Sequence, residues 1–245
     1  RGHATIDGQG SGSVITVTGD DVVVTGITVI GSGSSHETID AGIKLTKTAK
    51  SPKIQGNTLK GNLVGIDIHG AKEALVAGNT IEGRQDRHMN ARGNGVYVWN
   101  APGAIVERNS VRWGRDGIFV NSSKKNIFRD NLFRDLRFAV HYMYADKSEV
   151  TGNVSIGNHL GYAVMFSTRV KVLDNVSISD RDHGVMMNYT NKSIISGNVV
   201  KNAKGKCTFL YNSNKNEFSG NWFEGCGIGI HFTAGSDGNN IVGNS

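Results

Sequence analysis

Apolar residues recur along this chain at a long, fixed interval. An apolar residue stands three positions before an Asn again and again: Ile54 before Asn57, Val76 before Asn79, Val106 before Asn109, Phe128 before Asn131 and Val150 before Asn153. The series continues with Val172 before Asn175, Ile195 before Asn198, Phe218 before Asn221 and Ile241 before Asn244. Successive Asn residues are 22, 30, 22, 22, 22, 23, 23 and 23 residues apart, and each follows Gly, Asp or Arg. A second motif, small–apolar–x–apolar, fills the same frame, as in Gly65-Ile66-Asp67-Ile68, Gly117-Ile118-Phe119-Val120 and Ala163-Val164-Met165-Phe166. Its local period of two marks strands, and the Gly, Asn, Asp and Ser that bound it are turn formers. Short strands at one long period, with no helical stretches between them, predict an all-β chain. The fold expected is a right-handed parallel β-helix of about ten coils, equivalent residues stacking about 4.8 Å apart. The recurrent Asn reads as structural, a turn residue tolerant of left-handed backbone whose amide stacks in a ladder.

The frame accommodates residues 1–245 as a single solenoid domain, large enough to bury a continuous core. Two coils carry insertions of about eight residues, 33–40 with His36 and 84–93 with His88 and Met89; loops that break a regular scaffold often carry function. The chain starts and stops within a repeat, which implies flanking coils or caps beyond it. No apolar run is long enough for a membrane span. The net charge of +6, with Lys and Arg concentrated in 44–60, 124–137 and 201–206, favours an acidic protein, polysaccharide or nucleic acid as partner. No nucleic-acid-binding motif accompanies the charge, so no nucleic-acid partner is expected. Cys207 takes an inward strand position and Cys226 precedes the equivalent strand of the next coil. That offset predicts buried thiols rather than a disulfide.

Within each strand motif the first and third positions point inward and the middle one outward. Aligning the coils gives one outward column, Lys44, Asp67, Tyr97, Phe119, His141, Met165, Met186, Phe209 and His231. A second follows two residues later: Thr46, His69, Trp99, Asn121, Met143, Ser167, Asn188, Tyr211 and Thr233. A solvated face should be polar, and this one is rich in aromatics, methionine and histidine, the mark of an interaction surface. Tyr97, Trp99, Phe119, Phe209 and Tyr211 are the expected partner-binding residues. His141, Met165 and Met186 fall in one column with Met143 beside them, and thioether sulfur with imidazole is a soft donor set suited to transient Cu(I). Methionine is also a flexible packing residue at promiscuous surfaces, so an apolar docking face stands as the alternative. His88 and Met89, if their loop folds over this face, and His183 are possible further donors.

At these residues the chain resembles the NosD family of periplasmic β-helix proteins. The resemblance is carried by Arg137-Phe138-Ala139-Val140-His141-Tyr142-Met143-Tyr144, by Gly161-Tyr162-Ala163-Val164-Met165-Phe166-Ser167 and by Gly184-Val185-Met186-Met187-Asn188. It implies a non-enzymatic accessory protein of copper-site assembly in nitrous oxide reductase, working in the periplasm with ABC transporter subunits and a copper-carrying lipoprotein. The ligand set rests on the column geometry, not on the family.

The competing reading is a carbohydrate-binding or polysaccharide-cleaving β-helix. The aromatic stripe could stack on sugars, and hydrolysis would need two carboxyl groups about 5–9.5 Å apart. Asp67 and Asp116 are the nearest to such a pair, but they occupy different columns. Asp116 and Asp182, next to His183, read as turn or capping residues. No P-loop or nucleophile elbow is present, so any energy for transport must come from a partner.

Overall fold

The computed structural model describes residues 4–245. Three ten-stranded parallel sheets run side by side along its length, and every strand pairs with its equivalent one coil away. Each coil contributes one strand to each sheet, so the chain is a parallel β-solenoid of ten coils. Coils are numbered here by their strands in the second sheet. The first five are Ile15–Val17, Ala41–Leu45, Val64–His69, Val96–Trp99 and Asp116–Asn121; the others are Phe138–Met143, Leu160–Met165, Val185–Asn188, Lys206–Tyr211 and Ile228–Thr233. The one helical element among the described residues is a short 3-10 turn, Met89–Ala91.

Alternation within the strands builds the core. In the second sheet Ile43, Ile66, Val96, Ile118, Val140, Tyr162 and Val185 stack on one inward row, and Leu45, Ile68, Val98, Val120, Tyr142, Val164, Met187 and Leu210 on the next; all are buried. The Asn series forms the ladder its spacing predicts. Asn153 Oδ1 accepts from the backbone N–H and the amide of Asn131, and its own amide donates to Phe128 O and to Asn175 Oδ1. The Phe128 carbonyl lies three positions before Asn131, so the apolar–x–x–Asn spacing is a hydrogen-bonding requirement. The left-handed residue is the one before each Asn: Gly152, Gly197 and Gly220 have φ of 65°, 67° and 61°, and Arg108 and Asp130 take the same conformation.

Both insertions leave the solenoid at the same corner, between the first and second sheets. Arg84 ties them together, donating to Gly61 O, Ser32 O and Gly33 O, each at 2.9 Å.

Two expectations are corrected. In coil 7 the inward row is filled by Tyr162 and Val164, because Tyr162 pairs with Val140 and Val185. The motif of that coil is therefore Gly161-Tyr162-Ala163-Val164, two residues earlier than the look-alike Ala163-Val164-Met165-Phe166. The lumen makes room for a tyrosine there: Ser155 and Ser177 stand where adjacent coils have Phe133 and Val200. The phenol oxygen donates to Asn153 O and Val176 O at 2.8 and 2.9 Å.

The second correction concerns the cysteines. Cys207 and Cys226 form a disulfide, with Cα atoms 5.5 Å apart. Cys226 would lie too far along a straight strand. Gly225, at φ 66°, turns the chain just before it and brings it back over coil 9.

Candidate functional site

The outward face of the second sheet carries the unusual side chains. Its first column reads Lys44, Asp67, Tyr97, Phe119, His141, Ala163, Met186, Phe209, His231. The second reads His69, Trp99, Asn121, Met143, Met165, Asn188, Tyr211, Thr233. The corrected register moves Met165 beside Met143, in neighbouring coils about 4.8 Å apart. It removes Ser167 from the face, where it is buried and donates to Met165 O. It places Ala163 between His141 and Met186. Met143, Met165 and Met186 remain outward and half-buried, while Met187 is buried in the lumen. Ala163 contributes only a methyl group, which is fully covered, and His141, Met143, Met165 and Met186 are the longer side chains around it in register.

His141 is held from behind. It is 6% exposed, and its Nδ1 lies 3.1 Å from Asp116 Oδ2. Asp116 is fully buried and also accepts from Arg137, Nε to Oδ1 at 2.8 Å and Nη2 to Oδ2 at 2.6 Å. Burial pushes the Asp116 carboxyl up, but the hydrogen bonds from His141 and Arg137 and the Arg137 charge outweigh it and hold the pKa below the ordinary value. An ionised carboxylate only accepts, so Nδ1 is the donor of this pair, and in the neutral imidazole Nε2 is the nitrogen with the lone pair. Nε2 is buried and has no hydrogen-bond partner, and neither has Asn188 Oδ1 beside Met165. A carboxylate behind one ring nitrogen with the other free is the arrangement that orients a metal-ligating histidine. Asp116 is thus not a turn residue, as its sequence neighbours implied; it lies within the coil 5 strand. The Asp116–Arg137–His141 group was missed in the sequence, where the three residues show no shared spacing.

Among the described residues no group of three His, Cys, Asp or Glu is arranged to hold a metal ion. A metal on this face must therefore draw on thioethers, which favours a soft monovalent ion.

The further donors lie elsewhere. His88 caps the 3-10 turn, its Nδ1 accepting from Asn90 N at 3.3 Å. Its loop joins the solenoid at coil 4, two coils from His141. His183 lies in coil 8, where burial pushes its pKa down against the pull of Asp182, and its Nδ1 faces Asp182 Oδ1 at 3.1 Å and the Lys206 N–H at 3.3 Å.

The expected partner-binding residues form two groups that bracket the coils carrying the outward methionines. Tyr97 stacks on Phe119 with centroids 5.4 Å apart, and Trp99 on His69 at 4.4 Å. Phe209 and Tyr211 lie in coil 9, beyond it. Asp67 has both carboxylate oxygens buried without a hydrogen-bond partner, with Lys44 Nζ 3.5 Å away. Burial raises its pKa to about 7, against the lowering effect of Lys44. Its column neighbours are Lys44 and Tyr97, so no second carboxyl stands next to it in the column.

Solved structures share this architecture at low sequence identity. An HK620 phage tailspike superposes with a TM-score of 0.69 at 12% identity, over 92% of this chain and 47% of its own. A Yersinia enterocolitica exopolygalacturonase gives 0.61 at 12%, over 83% and 47%, and a Paenibacillus alginate lyase 0.59 at 13%, over 96% and 91%. These similarities show the fold alone. Two sequence relatives, from Stutzerimonas stutzeri and Pseudomonas aeruginosa, are each named a probable ABC transporter binding protein NosD. They are 35% and 36% identical over 99% of this chain. The chain spans 59% and 60% of their lengths. Residues 78–245 match the model of the NosD family, described as a periplasmic copper-binding protein, and the chain belongs to that family.

Proposed function

We propose that this chain is a non-enzymatic periplasmic accessory protein. It holds Cu(I) transiently, as cargo, among the side chains around Ala163. His141 Nε2 and the sulfurs of Met143, Met165 and Met186 supply the donors, for delivery toward the copper centres of nitrous oxide reductase. The observation that carries this reading is His141: a buried imidazole with Nδ1 facing Asp116 and Nε2 without a hydrogen-bond partner, on the same sheet face as the three outward methionines. Arg137 neutralises Asp116, so the carboxylate orients the imidazole without adding a hard donor. Thioethers carry no proton to lose, so acid competes with copper at His141. A set of one imidazole and neutral sulfurs on an open sheet face suits handover better than permanent retention.

The names of the sequence relatives support an ABC transporter as a partner. A copper-carrying lipoprotein as donor and the reductase as acceptor complete the proposed set. Polysaccharide cleavage fits the geometry poorly. Asp116 is consumed by Arg137 and His141, Asp67 has no adjacent carboxyl in its column, and Tyr97 and Phe119 cover each other's faces.

The test is an anaerobic Cu(I) titration against a competing chelator. Replacing Met143, Met165 and Met186 together by Leu keeps much of the apolar volume and removes three sulfurs. We expect the fold to survive and Cu(I) affinity to fall at least tenfold. Unchanged affinity would leave the methionines as apolar surface only.

A further inference from the structure

A second feature lies on the corner between the second and third sheets, next to the outward methionines. One position of that turn is left-handed in five consecutive coils and cationic in all five: Lys125, Lys147, Arg169, Lys192 and Lys215, with φ between 52° and 59°. Backbone hydrogen bonds confirm the equivalence: Lys125 N donates to Asp146 O, Lys147 N to Thr168 O, Arg169 N to Asn191 O and Lys192 N to Asn214 O. All five side chains are exposed, and among the described residues none has a carboxylate within ion-pair distance. The acids nearby are otherwise placed. Asp146 Oδ1 accepts from Thr168 N and Oγ1, and Glu149 and Asp237 border the two grooves that flank the ladder. The larger groove, about 800 Å³, is lined by Arg169, Lys192 and Lys215 with Asn191 and Asn214 between them.

A parallel ladder stands three residues earlier in the middle three coils, while Ser122 and Asn212 hold that position in the outer two. Tyr144, Phe166 and Tyr189 are also left-handed, an uncommon conformation for bulky residues. Their rings stack at 5.2 Å for each successive pair, and Tyr211 meets Tyr189 edge-on at 5.9 Å. All four are between 37 and 54% exposed. Stacked rings hide their faces and present their edges, which carry the positive end of the aromatic quadrupole. Tyr144 and Phe166 directly follow Met143 and Met165 in the chain.

Like charges stacked on adjacent strands repel, and left-handed aromatics cost backbone strain. Both ladders point to an anionic occupant. The cations rise about 4.8 Å per coil, roughly 19 Å over five coils. An α-helix repeats a face every 5.4 Å, so about 14 residues cover the ladder with an accumulated mismatch of only about 2.4 Å, within reach of Lys and Arg side chains. An extended strand repeats a face about every 6.6 Å and drifts by about 7 Å over the same length.

We infer that this corner docks an acidic amphipathic helix of a partner protein. Its carboxylates would lie on the Lys125–Lys215 ladder and its apolar stripe on the ring edges of Tyr144, Phe166, Tyr189 and Tyr211. The docked helix lies beside the proposed copper donors; the inference rests on the accessory-protein reading only for what docking achieves.

The test uses a synthetic 14-residue helical peptide with Glu on one face and Leu on the adjoining one, a matched peptide with Gln for Glu, and vesicles of phosphatidylglycerol. The variant is Lys147→Asn, Arg169→Asn and Lys192→Asn together. Asn tolerates left-handed backbone, and Asn212 already occupies it in the same turn, three residues before Lys215. The acidic peptide should bind the parent in a salt-dependent manner, and at least tenfold more weakly to the variant. The Gln peptide should fail to bind, and Cu(I) affinity should be equal in parent and variant. Equal binding of the acidic peptide to both proteins, equal binding of the Gln peptide, or binding of vesicles without the acidic peptide would overturn the inference. The Met→Leu variant should still bind the peptide, so loss of the copper reading and loss of the docking reading give different results.

Discussion

Asp116 and Asp67 show how one sheet can tune two buried carboxyls in opposite directions. Asp116 stays ionised despite full burial because Arg137 and His141 donate to it. Its folded pKa lies below the unfolded value, so its stabilisation is present above the ordinary carboxylate range and lost as pH falls through the folded pKa. Asp116→Asn should cost about 3 kcal/mol in urea unfolding at neutral pH, since Arg137 is left without its buried partner. The difference from the parent should shrink on acidification. Asp67 is the reverse case: burial raises its pKa to about 7. Its contribution is fully present below the unfolded carboxylate pKa and is lost as pH rises toward and past 7. Asp67→Asn should therefore be more stable than the parent at pH 8, by on the order of 2 kcal/mol, with the gain vanishing near pH 4. Equal unfolding midpoints at pH 8 would show that Asp67 is not a strained buried acid. Neither environment was legible in the sequence. Asp116 precedes a Gly next to Arg115 and looks like a turn, and only the coil-to-coil register shows that it meets Arg137 and His141.

The elements were legible to the extent that they repeat. The apolar–x–x–Asn spacing gave the sheets and the ladder because both depend on the same coil length. Asn153 makes the point quantitatively. Replacing it with Ala removes the acceptor of the Asn131 N–H, one of the two acceptors of the Asn131 amide and the side-chain donor to the Phe128 carbonyl in a buried corner. The expected loss is about 3 kcal/mol, measured by chemical denaturation; a loss below about 1 kcal/mol would make the ladder decorative. Coil 7 was misread because Ala163-Val164-Met165-Phe166 imitates the strand motif and because a lumen tyrosine is unusual. The compensating serines, Ser155 and Ser177, lie in another sheet and carry the only signal. Tyr162→Phe removes a phenol that donates to two carbonyls and should cost about 1 kcal/mol.

At the scale of the molecule, a solenoid is held together coil by coil, so stability is local to neighbouring repeats. The Cys207–Cys226 disulfide staples coil 9 to the chain leading into coil 10, and such bonds persist in oxidising compartments, as the periplasmic family assignment requires. Closing a loop of this length contributes about 3 kcal/mol. Replacing both cysteines by Ala should raise hydrogen exchange in coils 9 and 10 while leaving coils 3 to 7 unchanged. Uniformly faster exchange would contradict coil-local stability. The two aromatic groups, the methionines between them and the cationic corner beside them lie along one continuous side of the solenoid, with the insertions gathered at the corner on its other side.

The central claim is that copper sits among thioethers and one imidazole over Ala163. X-ray absorption at the copper edge, on the anaerobic one-to-one Cu(I) complex of the whole chain, tests it most directly. The account predicts a first shell containing both sulfur and a histidine nitrogen, with the sulfur signal falling on Met165→Leu and the imidazole signal lost on His141→Ala. A shell of nitrogen and oxygen alone, unchanged by both substitutions, would contradict it.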